Sequence, residues 1–293
     1  MTAEIDVFCA GIACWDLAFS VDRDPLPDEK TLSRRLDQGG GGPATTGAGT
    51  VASLGGRSTL ASYLGKDWIG EAVKSQLLEK GVPLDCIFWT GMDTPLSAIL
   101  VKPDGKRSIV TNKCPEPEVD LESLVPTLQR SRFLLVDPHW PKLATFLVEK
   151  ARDLDIPSMV DAGSLNEASM NLSRRVDYCV SSQVFAECAT GLKEPGAMLA
   201  GLEEFCSNVV ITLGIEGSIW KIAGKSGSTP AYPVDVVDTT GAGDIFHGAL
   251  ALALSRRENP AQALQFASRA AAVGCTRPGS LSAVPKFEEL IMD

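Results

Sequence analysis

From residue 133 onward the chain alternates short apolar runs with helical stretches, and this rhythm constrains the fold more than any other feature. The runs are Phe133–Val136, Ser158–Asp161, Tyr178–Ser181, Val209–Thr212 and Ser218–Ile222. Strands separated by helices lie parallel in one sheet, with helices packed on both faces. The N-terminal half supplies further pieces. Val7–Ala13 reads as a buried strand and Ser58–Leu64 as a second one. Ala44–Leu54 is a small-residue helix closed by Gly55-Gly56, and Asp67–Lys80 is an amphipathic helix ended by Gly81. The fold class is therefore α/β.

Two segments break the rhythm. Ser97–Val101 and Arg107–Thr111 flank Pro103-Asp104-Gly105-Lys106, a turn signal that predicts a β-hairpin. Residues 19–38 alternate irregularly around Pro25 and Pro27 and read as an edge strand or loop. Together, about 17–38 and 96–113 form a small β insertion, a lid over a site at the strand ends. There is no internal repeat and no low-complexity linker, so residues 1–293 read as one domain.

A net charge of −10 excludes a general nucleic-acid binder while leaving room for a local basic pocket. Eight cysteines without a CxxC pair, beside only two histidines, argue against a zinc site and for reduced thiols in the cytoplasm. The opening Met1–Asp6 has no signal-peptide character, and no apolar run is long enough to span a membrane.

The chemistry concentrates in Asp238-Thr239-Thr240-Gly241-Ala242-Gly243-Asp244, which opens the apolar helical run Ile245–Leu250. Amides at a helix N-terminus are unpaired and attract anions. A carboxylate beside them is a base rather than an anion ligand. The pairing fits transfer of an anionic group to a deprotonated oxygen. Asp244 alone could equally be a carboxylate that stabilises the helix dipole; the three small residues before it, which leave amides bare, favour the base.

Other segments are weaker on their own. Gly39–Gly42 is either a close approach of backbone to ligand or a flexible turn before a helix. Thr212–Gly217 follows an apolar strand and is either a nucleotide border or a plain turn between strands. His247, three residues after Asp244, reads as a packing residue.

Taken together, these segments resemble the ribokinase-like, or phosphofructokinase B, carbohydrate kinases over nearly the whole chain. The signatures are Gly39–Leu54 and Val237–Leu250, with Thr212–Gly217 matching the nucleotide-side turn. The resemblance implies a three-layer α/β/α sandwich with a mainly parallel central sheet and a small β-sheet lid. It implies Asp244 as catalytic base and Gly241, Ala242 and Gly243 as the anion hole. Asp16, Gly40, Gly41 and Gly42 would bind the sugar. Thr212, Gly214, Gly217 and Gly243 would face ATP, and Asp238 and Thr240 would help hold a monovalent cation, potassium. Magnesium would arrive with ATP. The family's N-x-x-E magnesium motif is replaced here by Ser182 and Phe185, with Glu187 out of register.

Within that family, Val236–Leu250, Cys275–Gly279 and the GGGPA run Gly40–Ala44 are similar to bacterial 6-deoxy-6-sulfofructose kinases, which phosphorylate the 1-hydroxyl. A sulfonate needs cations and donors at the far end of the sugar. Lys30 and Asn112 align with that branch's Lys and Asn, while His139 stands at its Arg position. Each also has a plain reading: a solvated lysine, a turn residue, a packed loop histidine. The alternatives are a fructokinase or ketohexokinase, a nucleoside kinase, and an inactive sugar-binding regulator on the same scaffold. The resemblance further implies a homodimer formed through the lid.

Overall fold

The computed structural model describes residues 4–103 and 107–291. The tip of the expected hairpin turn, Asp104–Lys106, and the opening Met1–Ala3 lie outside the described residues.

In chain order the strands are β1 (Val7–Ala10), β2 (Cys14–Ser20), β3 (Arg35–Gly41), β4 (Ser58–Gly65), β5 (Ile87–Thr90), β6 (Leu96–Val101), β7 (Arg107–Asn112), β8 (Leu134–Val136), β9 (Ser158–Ala162), β10 (Tyr178–Ser182), β11 (Asn208–Thr212), β12 (Ser218–Ile222) and β13 (Lys225–Thr229). The helices are α1 (Pro43–Ser53), α2 (Trp68–Glu79), α3 (Val125–Leu128), α4 (Pro141–Asp153), α5 (Glu167–Ser173), α6 (Gln183–Thr190), α7 (Pro195–Glu203), α8 (Ala242–Ser255) and α9 (Pro260–Gly274).

Among the described residues, a nine-stranded sheet runs β13-β12-β11-β10-β9-β8-β1-β4-β5. It is parallel from β11 to β5, and only β12 and β13 pair antiparallel at one edge. Side chains alternate across a strand, so β1 feeds two cores at once. Val7 and Cys9 join the layer with α1, α2, α8 and α9. Phe8 and Ala10 join the layer with α4, α6 and α7. Burial on both faces is why the strands read as continuous apolar runs. No helix among the described residues is long and apolar enough to cross a membrane, and the eight cysteines carry free thiols.

The lid is a separate sheet ordered β3-β2-β6-β7. β2 pairs antiparallel with β3 and parallel with β6, and β6 and β7 form the hairpin. Two local expectations differ from the structure. The strand expected over Val7–Ala13 ends at Ala10, and Asp16 lies inside β2, within the lid. Of the two readings of Gly39–Gly42, the flexible turn does not hold for Gly39–Gly41, which are the last residues of β3. The reason is pairing: Gly39 and Gly41 are held opposite Asp16 and Cys14 by the β2–β3 ladder. Gly42, at φ 97°, then turns the chain into α1.

The small residues of α1 have a packing purpose. A β-carbon on Gly248 would lie 2.7 Å from the Gly47 carbonyl oxygen and 2.9 Å from the Gly47 Cα. α1 and α8 therefore touch backbone to backbone, and the helices of the two glycine-rich motifs run side by side.

Candidate active site

α8 begins in an unusual way. Gly241, its N-cap residue, has φ 73°, a left-handed conformation that glycine adopts without steric penalty. A β-carbon there would meet the Ser280 hydroxyl oxygen at 2.5 Å, so only glycine fits both the dihedral and the space. No side chain caps the helix. Gly243 is exposed, and a β-carbon on it would meet nothing within 4 Å. Ala242 N–H donates to the Thr239 carbonyl at 3.2 Å, and the amides that follow it, at Gly243 and Asp244, are where a helix start attracts an anionic group.

Asp244 sits in that first turn and is partly exposed. Removal from water, and then the nearby Asp161, push its carboxyl up to about 7; His247 acts in the opposite direction, and Asp16 and Asp137 add smaller upward effects. Four carboxylates from four places in the chain therefore converge: Asp16 on β2, Asp137 after β8, Asp161 on β9 and Asp244 on α8.

Each is held differently. Asp137 is fully buried and accepts hydrogen bonds from the backbone N–H of Ile12 at 2.9 Å, Ala44 at 3.0 Å and His139 at 2.9 Å. It ties β1, the start of α1 and the 138–140 loop together. Asp16 is partly exposed and accepts a hydrogen bond from the Cys14 thiol at 3.3 Å. Burial raises its pKa, while the Cys14 and Ser97 donors lower it. A β-carbon on Gly41 would lie 1.9 Å from Asp16 Oδ2, so the glycine leaves the space the carboxylate occupies. Gly40 N–H donates to Gln76 Oε1 at 2.7 Å, which anchors β3 to α2.

On the other side of α8 lies a cavity of about 250 Å³. Its walls include Thr212, Gly214, Gly217, Ala242, Gly243, Phe246 and Cys275. The structure thus brings the expected ATP-side turn and the helix N-terminus into one pocket. The Thr212–Gly217 turn joins the antiparallel strands β11 and β12, and Gly214 and Gly217 take φ of 60° and 87°.

The remaining expected residues lie at varied distances from this centre. Asp238 accepts from Thr240 N–H at 2.9 Å, Thr240 hydroxyl at 2.7 Å and Gly279 N–H at 3.0 Å. Its carboxylate binds the loop to the C-terminal turn. Lys30 is exposed in the β2–β3 loop. Asn112 ends β7 opposite Leu96, which pairs with Trp15. The register therefore puts Asn112 on the lid face of Trp15, while Asp16 shares the other face with Ser97 and Thr111. His139 is exposed, and its carbonyl accepts from the Lys113 ammonium. That ammonium lies 4.5 Å from the Trp140 ring centroid.

The segment in place of the magnesium motif is engaged in starting α6. Ser182 is the α6 N-cap: its hydroxyl accepts from Phe185 N–H at 3.0 Å and donates to the Gly163 carbonyl at 2.7 Å. Phe185 is fully buried. Glu187 accepts from Gln183 at 2.8 Å. Among the described residues, no group of three or more His, Cys, Asp or Glu side chains could hold a metal ion.

Sequence reasoning missed Asp137, Asp161, Lys113 and Ser280, and it assigned His247 to packing. Asp137 and Asp161 had a readable signal, since each stands at the C-terminal end of a parallel strand, where α/β sheets place their sites. Ser280 had none. Its hydroxyl lies 2.7 Å from that of Thr46 on α1 and backs Gly241, joining the two motifs.

Comparison with known proteins agrees with this geometry. Residues 4–286 match the family described as pfkB family carbohydrate kinase. The chain is 26% identical to the ribokinase of Haemophilus influenzae, with 94% of each chain covered. It is 26% identical to fructokinase-1 of Oryza sativa subsp. japonica, over 86% of this chain and 87% of the relative. Among solved structures, a putative ribokinase from Agrobacterium tumefaciens superposes with a TM-score of 0.87 at 29% identity, covering 97% of this chain and 95% of that one. A glycine-capped helix start beside a carboxylate, on a three-layer sandwich with a β lid, is thus accounted for by ancestry: the chain belongs to the pfkB family of carbohydrate kinases.

Proposed function

We propose that this carbohydrate kinase transfers the γ-phosphoryl group of ATP to a ketose hydroxyl, with Asp244 as the base. The observation that carries the reading is the convergence of Asp16, Asp244 and the open first turn of α8 beside a cavity lined by Thr212, Gly214 and Gly217. Bound ATP supplies the phosphoryl group and brings magnesium with it; Ser182 and Phe185, committed to the α6 cap and the core, do not fit as its ligands. Asp16 accepts hydrogen bonds from sugar hydroxyls, and Gly40, Gly41 and Gly42 let the sugar approach the backbone. Asp244 takes the proton of the attacking hydroxyl. The amides of Gly241, Ala242 and Gly243 stabilise charge on the transferring group, which is most of what phosphoryl transfer demands.

For the acceptor, we favour the 1-hydroxyl of 6-deoxy-6-sulfofructose, with Lys30, Asn112 and His139 at the sulfonate end. The Lys113 ammonium beside His139 supports it, because it supplies a cation at the corner where the Arg is missing. The register of Asn112, on the Trp15 face, favours the second reading, a fructokinase. An ADP-release assay over sulfofructose, fructose, ribose and nucleosides separates them. Turnover of sulfofructose far above fructose, lost in Lys30→Ala and Asn112→Ala, supports the first. Efficient turnover of fructose alone rejects it.

The reading includes a homodimer through the lid, whose Leu36, Ile109 and Val110 are exposed. Sizing by light scattering tests it, and a monomer at micromolar concentration would reject it. Free thiols accord with a cytoplasmic location. Comparing rates in potassium and sodium salts tests the part assigned to Asp238 and Thr240.

A further inference from the structure

His247 is buried on α8, three residues after Asp244, and both of its ring nitrogens face only acceptors. Nδ1 lies 2.6 Å from the Gly243 carbonyl oxygen and 3.2 Å from Asp161 Oδ2. Nε2 lies 3.0 Å from the Val180 carbonyl oxygen. A neutral imidazole has one N–H. It would set a bare lone pair against a carbonyl oxygen at one nitrogen or the other, in the protein interior. Asp161 Oδ2 is itself buried and has no hydrogen-bond partner. A ring carrying two protons satisfies both carbonyls and gives Asp161 a counter-charge.

The charges nearby point the same way. Asp161 from β9, Asp244 from α8, Asp16 from β2 and Asp137 after β8 are the titratable groups around this turn. α1, which packs along α8, contributes none, and α9 carries Arg269, whose guanidinium lies 4.9 Å from the Tyr232 ring centroid. Burial works against a charged ring and draws the pKa of His247 down, while the two carbonyls and Asp244 raise it. Burial and Asp137 push Asp161 up to about 8. The raised Asp161 pKa places an extra proton in this corner at neutral pH, and the imidazole 3.2 Å away competes with the carboxyl for it. The ring is where the geometry provides acceptors for it.

We propose that His247, held as an imidazolium between Asp161 and the carbonyls of Gly243 and Val180, is a positioning residue that keeps the Asp244 carboxylate ionised and fixes the first turn of α8. It does not touch the substrate; it acts through Asp244. The inference rests on Asp244 being the base, but the charge of the ring is read without turnover, so the two readings fail separately.

The test begins with long-range proton–nitrogen correlation on the labelled full-length protein. There are two histidines, and His139→Gln assigns them. The expected spectrum at pH 7 has both His247 nitrogens protonated; a neutral tautomer overturns the proposal. In His247→Asn, the rising limb of kcat against pH should move up by about one unit, a roughly tenfold loss on that limb that higher pH restores. KM for ATP should stay within about twofold of wild type. A limb that does not move in the folded variant overturns the proposal. If that variant does not fold, Asp161→Asn decides: the ring's titration should fall by at least about one unit, and an unchanged titration rejects the pairing.

Discussion

A methyl group on Gly248 would sit 2.7 Å from the carbonyl oxygen of Gly47. These two glycines set the distance between α1 and α8, and so between the helix that follows the β3 glycines and the helix that carries Asp244. Ser280 locks the same junction from the C-terminal turn through Thr46.

Gly248→Ala should therefore be costly. Overpacking of a tight interior contact typically costs about 1–3 kcal/mol. The variant should show a Tm lowered by several degrees and a kcat reduced more than KM, because the displaced part is the start of α8. Thermal unfolding with wild-type Tm would show that the helices can part without penalty.

Asp244→Asn should lose about 10²–10⁴-fold in kcat, the usual worth of a positioned base. Nucleotide binding, measured by calorimetry, should survive, since the cavity walls are unchanged. Near-normal turnover would reject Asp244 as the base.

Gly41→Ala places a β-carbon 1.9 Å from the Asp16 carboxylate. The carboxylate must swing away. KM for the sugar should rise by about tenfold or more, the effect of removing a binding interaction, while nucleotide affinity stays the same. Equal losses for both substrates would mean that the lid had unfolded.

Stability should depend on pH in a defined sense. Asp244 has a folded pKa raised from 3.8 to about 7. A raised carboxyl contributes stability that is complete below the unfolded pKa and is lost as pH climbs through the folded one. The Tm of the ligand-free protein should fall between about pH 4 and 7, more steeply than in Asp244→Asn, where that group no longer titrates. Parallel curves for the two proteins would contradict the desolvation of Asp244. In wild type, activity should rise through pH 7 as Asp244 ionises.

Much of this was legible along the chain. Runs such as Ser158–Asp161 and Val209–Thr212 announced parallel strands because burial on both faces demands unbroken apolar sequence. Asp67 capped α2, accepting from Gly70 N–H at 2.7 Å, where a helix start was expected. Gly39–Gly41 misled: strand pairing with β2 overrode their turn preference. β5 and β13 were not expected at all, being short edge elements whose existence depends on neighbours.

By itself the sequence determined the layered α/β architecture, the glycine-opened start of α8 with its carboxylate, and the Thr212–Gly217 turn. Those are local matters of periodicity, small residues and helix ends. Only the tertiary structure decided which groups surround Asp244. Asp137 and Asp161 stand more than 80 residues before it, on strands brought beside α8 by packing. His247 read as a packed residue, because only folding sets Asp161 and the Val180 carbonyl against its two nitrogens. Hydrogen-bond geometry and the field of distant charges have no trace in local sequence, and they set the ionisation on which a base depends.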